Sequence, residues 1–178
     1  MSSPTAAVHA DATRVLAAWK APDAGQSAIR EALLAYLAVR DDACSRSCEA
    51  GHLTASALVV DEAGEHALLT LHPRVGRWLQ LGGHIEPEDT TLAGAALREA
   101  TEESGIEGLT ISEAPVHLDV HPVTCSLGIP TRHLDVRYLV RAPAGARGVR
   151  SDESVDLRWW PLAELPDDVA FGRALLLS

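Results

Sequence analysis

The chain has 178 residues, a length typical of one domain, and 47% of them are hydrophobic, so a substantial core can form. Its formal net charge of −10 argues against a broad surface for nucleic-acid polymers, which requires clustered Lys and Arg. No stretch approaches the roughly 18 apolar residues that span a bilayer, and the first residues do not have the pattern of a signal peptide. We therefore expect a cytoplasmic protein that binds neither nucleic acid nor a membrane.

The first 43 residues have helical periodicity and no catalytic signature. Asp11 is predicted to cap a helix over residues 12–20, and Ser27 is predicted to cap a second helix over residues 28–40. Because no residue of this segment suggests chemistry, we expect it to serve packing or the formation of a homodimer.

From His52 onward the spacing of apolar residues is typical of strands. The predicted strands cover residues 53–60, 67–71, 78–81, 116–120, 133–141 and 156–160. A helix over residues 91–104, which Gly105 would terminate, separates the third strand from the fourth. Two Pro- and Gly-containing loops cover 122–131 and 142–154, and short helices are predicted near 162 and from about 168. This order favours an α+β fold, an α/β/α sandwich with a mixed sheet between helices.

Acidic residues gather on one side of the predicted central helix. Glu99, Glu102 and Glu103 fall within an arc of about 100°, since a helix turns by about that angle per residue. A different arc, expected to face the core, contains Ala93, Ala96, Leu97 and Ala100. Like charges at this spacing cost about 0.2–0.5 kcal/mol per pair, whereas a hard divalent cation requires such oxygen ligands. The pattern indicates a metal–diphosphate site, and a solvated acidic surface is the alternative.

The segment from Gly82 to Ile106 resembles the Nudix box, whose pattern is Gly, five residues, Glu, seven residues, then Arg-Glu-apolar-x-Glu-Glu-x-Gly-apolar. Its second half is matched by Arg98, Glu99, Ala100, Glu102, Glu103, Gly105 and Ile106. Its first half departs from the pattern, because Asp89 stands where the family has Glu and eight residues separate Asp89 from Arg98. The similarity extends over residues 51–178. We therefore divide the chain into a helical extension, residues 1–45, and a Nudix hydrolase domain, residues 46–178.

The resemblance implies a hydrolase that uses Mg²⁺ or Mn²⁺ and cleaves a diphosphate linkage in a nucleoside diphosphate derivative by attack of water on phosphorus. Arg98 would orient a carboxylate, and the general base would be Glu99 or Glu153, between which the sequence does not choose. The metal ligands that the resemblance implies are Glu99, Glu102, Glu103 and the carbonyl group of Gly83.

The partner expected from this resemblance is a small nucleotide or another diphosphate. Candidate residues for contacting it are Arg77, Trp78, Arg132, His133 and Arg137. For the arginines the alternative is an ordinary surface salt bridge. For Trp78, as for the later tryptophans Trp159 and Trp160, the alternative is core packing.

Two other functions and one further metal site fit parts of the pattern. A non-catalytic Nudix module that senses nucleotides usually lacks box carboxylates, which this chain keeps. An isoprenoid-diphosphate isomerase would need a protonating Cys–Glu pair, and Cys125 is the only Cys after the first predicted strand begins. Cys44, Cys48 and His52 recur every four residues, which suggests zinc, but a structural zinc site needs a fourth ligand and none is evident.

Overall fold

The computed structural model describes residues 4–124, 128–152 and 154–169 of the chain. This part of the chain forms three α-helices, α1 (Pro4–Ala18), α2 (Ala24–Val39) and α3 (Leu92–Ser104). Its strands are β1 (His52–Val60), β2 (His66–Leu71), β3 (Trp78–Leu79), β4 (Leu81–His84), β5 (Thr110–Ile111), β6 (His117–Thr124), β7 (Pro130–Arg141) and β8 (Asp156–Pro161). Two short 3₁₀ helices, Leu162–Glu164 and Asp167–Val169, follow β8.

All eight strands belong to one mixed sheet that is built around β1. β1 pairs with β7 in parallel along its whole length, and with β4 and β2 in antiparallel orientation. β7 also pairs with β5 and β6, whereas β2 pairs with β3 and β8. The predicted α+β class with a mixed sheet and helices is confirmed.

The three α-helices cover the same face of the sheet. Side chains alternate between the faces of a strand, and in β1 Leu53 and Ala55 belong to a core cluster that includes Leu16 of α1, Leu33 of α2 and Leu92 of α3. The two N-terminal helices therefore share the hydrophobic core with α3 and the sheet. This arrangement supports packing as the role of the N-terminal segment, whereas the division of the chain at residue 45 stays a prediction.

The opposite face of the sheet has two different halves. At one end, Leu58 and Val60 of β1 pack against Leu165 and Val169, which belong to the segment of the two 3₁₀ helices. At the other end, the same side of β1 presents His52 and Ser56. The sheet therefore has one apolar face under the α-helices and one face that changes from apolar to polar along its length.

The boundaries predicted for α3 are close to those observed. The Thr91 side chain caps the helix by accepting a hydrogen bond from the N–H group of Gly94 at 3.0 Å, and Gly105 ends it with a left-handed φ of 63°. The predicted buried face is partly wrong, since Ala93 and Leu97 are only half-buried. Ala96 and Ala100 are buried as predicted, together with Leu92, Ala95 and Ser104.

The predicted starts of the first two helices are wrong. α1 begins at Pro4, since Pro is well tolerated in a first helical turn, and Asp11 lies inside this helix. α2 begins at Ala24, and its cap is Asp23, which accepts a hydrogen bond from the N–H group of Gln26 at 2.9 Å. Asp11 instead accepts the N–H group of Leu92 at 2.9 Å, so a side chain of α1 caps α3.

Several predicted strands also need correction. The strand expected at 78–81 is two strands, because β3 pairs with β2 whereas β4 pairs with β1. β6 and β7 extend into the loop predicted at 122–131, and β5 was not predicted. Cys125 and most of the predicted last helix lie outside the described residues. Within the described ranges, no helix combines the length and the apolar character needed to cross a bilayer.

Replacing Asp11 with Ala should lower the free energy of unfolding by about 0.5–2 kcal/mol, the usual effect of losing a side chain that caps a helix. The loss arises because the buried N–H group of Leu92 no longer has its acceptor. Chemical denaturation of the full chain measures the change. Asp41→Ala is the matched control, since it removes an exposed carboxylate of the same charge. Equal stability of the two variants would contradict the capping role of Asp11.

Candidate active site

Strand β4 and helix α3 approach each other where β4 contains two consecutive glycines. The N–H group of Gly82 donates a hydrogen bond to Oε2 of Glu103 at 3.0 Å. A Cβ atom at Gly83 would lie 2.9 Å from the carboxylate atoms of Glu99. A Cβ atom at Gly82 would lie 2.5 Å from the Cα atom of Ser56 on β1, and Gly82 has a φ of 147°. Glycine at position 83 therefore lets the Glu99 carboxylate reach the strand backbone, whereas glycine at position 82 lets β4 approach β1.

The three glutamates of α3 have different environments. The Glu99 side chain is 13% exposed, whereas the Glu102 side chain is 61% exposed. Glu99 and Glu103 contact the backbone of β4, and none of the three is part of an apolar cluster. The structure thus brings Glu99 to Gly83 and Glu103 to Gly82 of β4, and it leaves Glu102 exposed to solvent.

Arg98 connects these carboxylates to the loop before the helix. Its Nη1 atom donates to Oε1 of Glu99 at 2.9 Å and to Oε2 of Glu102 at 3.0 Å. Its Nη2 atom donates to the carbonyl oxygen of His84 at 3.0 Å and to Oδ2 of Asp89 at 2.8 Å. The hydrogen bonds that Arg98 donates to Asp89 raise the pKa of Arg98 above its ordinary value, so the guanidinium stays charged.

Asp89, the residue that departs from the box pattern, is part of this network. Its two carboxylate oxygens accept Nε and Nη2 of Arg98 at 3.2 and 2.8 Å, a forked geometry. Oδ2 also accepts the N–H group of Glu86 at 2.8 Å, which closes the turn before the helix. Asp89 therefore ties the turn that holds the extra residue to Arg98 of α3.

The polar half of the sheet contains a second network, centred on Asp135 of β7. Its carboxylate accepts hydrogen bonds from Thr54 at 2.9 Å, Ser56 at 2.7 Å and Arg137 at 2.7 Å. Arg137 is 6% exposed and also donates to Asp119 at 2.9 Å. This buried arginine, predicted to contact substrate, therefore makes ion pairs that fix the shape of the polar face.

Three histidines from different strands meet beside this network. His52 of β1, His84 of β4 and His133 of β7 have ring centroids 5.1–5.2 Å apart. Burial, followed by the neighbouring histidines, lowers the pKa of His84 to about 4, and the same causes lower that of His133 to about 4. Only His133 was predicted as a site residue. The sequence contains no signal for the cluster, because the strand register alone brings the rings together.

The cysteines suggested as zinc ligands do not join His52. Sγ of Cys48 lies 3.2 Å from the hydroxyl of Tyr36 and 3.3 Å from Nη2 of Arg40. Among the residues that the structure describes, the group able to hold a metal through His or Cys comprises His52, His84 and His133. The spacing of four residues in Cys44, Cys48 and His52 was therefore a misleading signal.

The remaining predicted contact residues have ordinary environments. Arg77 and Arg132 are exposed. Trp78 packs edge-on against Trp160, with ring centroids 5.4 Å apart, and the guanidinium of Arg158 lies over its ring at 5.1 Å. Trp78 therefore packs at the edge of the hydrophobic core. Glu153 lies outside the described residues.

The comparisons with known proteins agree with this geometry. The NUDIX domain family model matches residues 51–177. A NUDIX family hydrolase from Clostridium perfringens is 25% identical, with a TM-score of 0.57 over 71% of this chain and 97% of that chain. The dihydroneopterin triphosphate pyrophosphohydrolase of E. coli is 20% identical, with a TM-score of 0.54 over 69% of this chain and 91% of that chain.

The NUDIX domain of NrtR from Shewanella oneidensis, solved with ADP ribose, is 24% identical, with a TM-score of 0.51 over 72% of this chain and 82% of that chain. No curated protein matches the chain. The family match covers well over half of the sequence, and this chain belongs to the Nudix hydrolase family.

The two glycines of β4 should respond differently to alanine. Gly82→Ala combines a positive φ with a backbone clash, so it should lower stability by at least about 2 kcal/mol. Gly83→Ala meets only the end of the Glu99 side chain, which can rotate away, so the loss should be smaller. Chemical denaturation measures both variants.

Gly76→Ala is the control for these two variants, because Gly76 has a φ of 66° and a Cβ there would have no neighbour within 4 Å. It isolates the effect of backbone conformation from that of the clash. Gly82→Ala should therefore be less stable than Gly76→Ala, and equal stability would show that β4 can move away from β1.

Proposed function

We propose that this protein is a metal-dependent hydrolase that cleaves a diphosphate linkage in a nucleoside diphosphate derivative by attack of water on phosphorus. The observation that carries the proposal is the placement of Glu99 and Glu103, four residues apart on α3, against the glycine backbone of β4. The Clostridium perfringens protein, a hydrolase of the same family, supports the reaction type. The substrate class rests on the resemblance of the box.

The residues around Gly83 suit a hard divalent cation. Mg²⁺ prefers oxygen ligands and is usually bound by one or two carboxylates together with substrate phosphate oxygens. Glu99 and Glu103 supply the carboxylates, the carbonyl group of Gly83 would add a backbone oxygen, and Glu102 would reach the ion from the exposed side. The missing side chain at Gly83 makes the space in which the Glu99 carboxylate lies. The donor set therefore fits Mg²⁺ or Mn²⁺.

A bound Mg²⁺ would neutralise the charge of the diphosphate and activate a water molecule. Arg98 acts as a positioning residue, because its bonds to Glu99 and Asp89 hold the carboxylate in one orientation before substrate arrives. Ion pairs between the buried Arg137 and its two aspartates keep the polar face of the sheet in shape. Arg77, Arg132 and His133 remain the proposed contacts to the substrate.

The general base is proposed to be Glu99 or Glu153. Glu99 is held next to Gly83 by Arg98. Glu153 precedes Ser154, whose hydroxyl accepts a hydrogen bond from Thr70 of β2 at 2.7 Å. Ser154 therefore contacts β2, and both candidates stay open.

Glu103→Gln keeps the shape of the side chain and removes the charge that would hold the cation. With Mg²⁺ present, kcat on the best substrate of a panel of nucleotide sugars, dinucleotides and nucleoside triphosphates should fall by about 10²–10³-fold, the effect of losing one electrostatic contact. Glu107→Gln is the matched control, because Glu107 is exposed and lies just beyond α3. Full activity of Glu103→Gln, or of the wild-type protein with a chelator, would overturn the metal mechanism.

Separate measurements of turnover and metal affinity distinguish the two candidate bases. If Glu153 is the base, Glu153→Gln should lower kcat while Mn²⁺ affinity, measured by calorimetry, stays unchanged. If Glu99 fills both roles, Glu99→Gln should weaken Mn²⁺ binding and turnover together, whereas Glu153→Gln should leave kcat near that of the wild type. A loss of Mn²⁺ affinity in Glu153→Gln would instead make Glu153 a ligand.

A further inference from the structure

The histidines of the polar face form a compact group with no assigned function. His52, His84 and His133 each offer one ring nitrogen, and these three nitrogens lie within 4.8 Å of one another. Tetrahedral ligands that are 2.0–2.1 Å from a zinc ion lie about 3.4 Å apart. Small side-chain rotations would therefore bring the three nitrogens to ligand distance.

Two ring nitrogens of this group are buried and have no hydrogen-bond partner, namely Nε2 of His52 and Nε2 of His133. His52 is 1% exposed, and its Nδ1 atom lies 3.2 Å from the carbonyl oxygen of Cys48. A carbonyl oxygen only accepts, so Nδ1 of His52 carries the proton and Nε2 presents a lone pair. Metal-binding histidines are oriented by this type of backbone hydrogen bond.

The surroundings of the group also suit a metal ion. Burial of the three rings favours the neutral imidazole, which is the form that binds a metal. His84 and His133 are only half-buried, which leaves a route from solvent. His121, whose ring centroid is 5.5 Å from that of His133 and whose Nδ1 atom pairs with Asp119 at 2.8 Å, borders the group.

We propose that His52, His84 and His133 form a transition-metal site that binds Zn²⁺ or a similar ion through three imidazole nitrogens. The fourth position faces the side that His121 borders, where water or the His121 ring completes the coordination. The ion supplies the partner that the buried Nε2 atoms lack, and it links β1, β4 and β7 at one end of the sheet.

This site is chemically distinct from the carboxylates of α3. Imidazole ligands select Zn²⁺ and its neighbours among the transition metals, whereas carboxylate and carbonyl oxygens select Mg²⁺ and Mn²⁺. His84 follows Gly83 directly, but strand alternation sends its side chain to the polar face, away from α3. The inference goes beyond the proposed function and does not depend on it.

The test is a calorimetric titration of the chelator-stripped, full-length protein with Zn²⁺, in excess Mg²⁺ to compete at the carboxylates. The wild-type protein should bind one equivalent. His84→Gln and His133→Gln should each weaken Zn²⁺ binding by more than about 100-fold, since even partners of ligands change metal affinity by 10–100-fold. His66→Gln, a histidine that pairs with Asp61 instead, is the matched control and should bind as the wild type does.

X-ray absorption of the Zn²⁺-loaded wild-type protein tests the site without any substitution. It should show at least three nitrogen ligands at about 2.0–2.1 Å. A spectrum without imidazole ligands would overturn the proposal, as would the absence of stoichiometric binding or unchanged affinity in a folded His133→Gln. Loss of Zn²⁺ binding in Glu103→Gln would also overturn it, by placing the ion at α3. None of these results decides whether the protein is a Mg²⁺-dependent hydrolase, because the activity assay tests that function separately.

Discussion

The close approach of β4 to α3 is the constraint on which the candidate active site depends. Gly83 has no side chain, so the Glu99 carboxylate reaches the strand backbone, and the N–H group of Gly82 donates to the Glu103 carboxylate. Two acidic groups next to each other are unfavourable unless positive charge compensates them. Arg98 supplies part of that positive charge. The negative charge that Arg98 leaves uncompensated is what suits the proposed cation.

Helix α3 is held at both ends by residues outside the box. At its start, Asp11 of α1 accepts the N–H group of Leu92. At its end, the N–H group of Val149 donates to the carbonyl oxygen of Ser104 at 2.7 Å. The orientation of the acidic residues thus depends on a segment that precedes the family match and on a loop that follows it by more than forty residues. Preorganisation of this kind fixes ligands before metal or substrate arrives.

Local patterns predicted the bounds of α3 well, because termination at Gly105 and the spacing of the glutamates are set within a few turns of chain. Sequence failed where distant segments decide the outcome. Asp11 resembles the cap of its own helix but caps another one. His52 and His133 are neighbours only because β1 and β7 pair in parallel with one particular register. Short strands such as β5 depend on a partner strand and carry almost no signal of their own.

The parallel pairing of β1 with β7 also constrains when the protein can fold during its synthesis. Thr54 and Asp135, which are paired in register, are 81 positions apart. The core that receives α1 and α2 includes Val136 and Tyr138 of β7, so these helices leave the ribosome long before the surface they cover exists. Contacts of such long range slow folding and keep apolar surface exposed meanwhile. The apolar residues of α1 and α2 therefore stay without this part of their core until β7 has been synthesised.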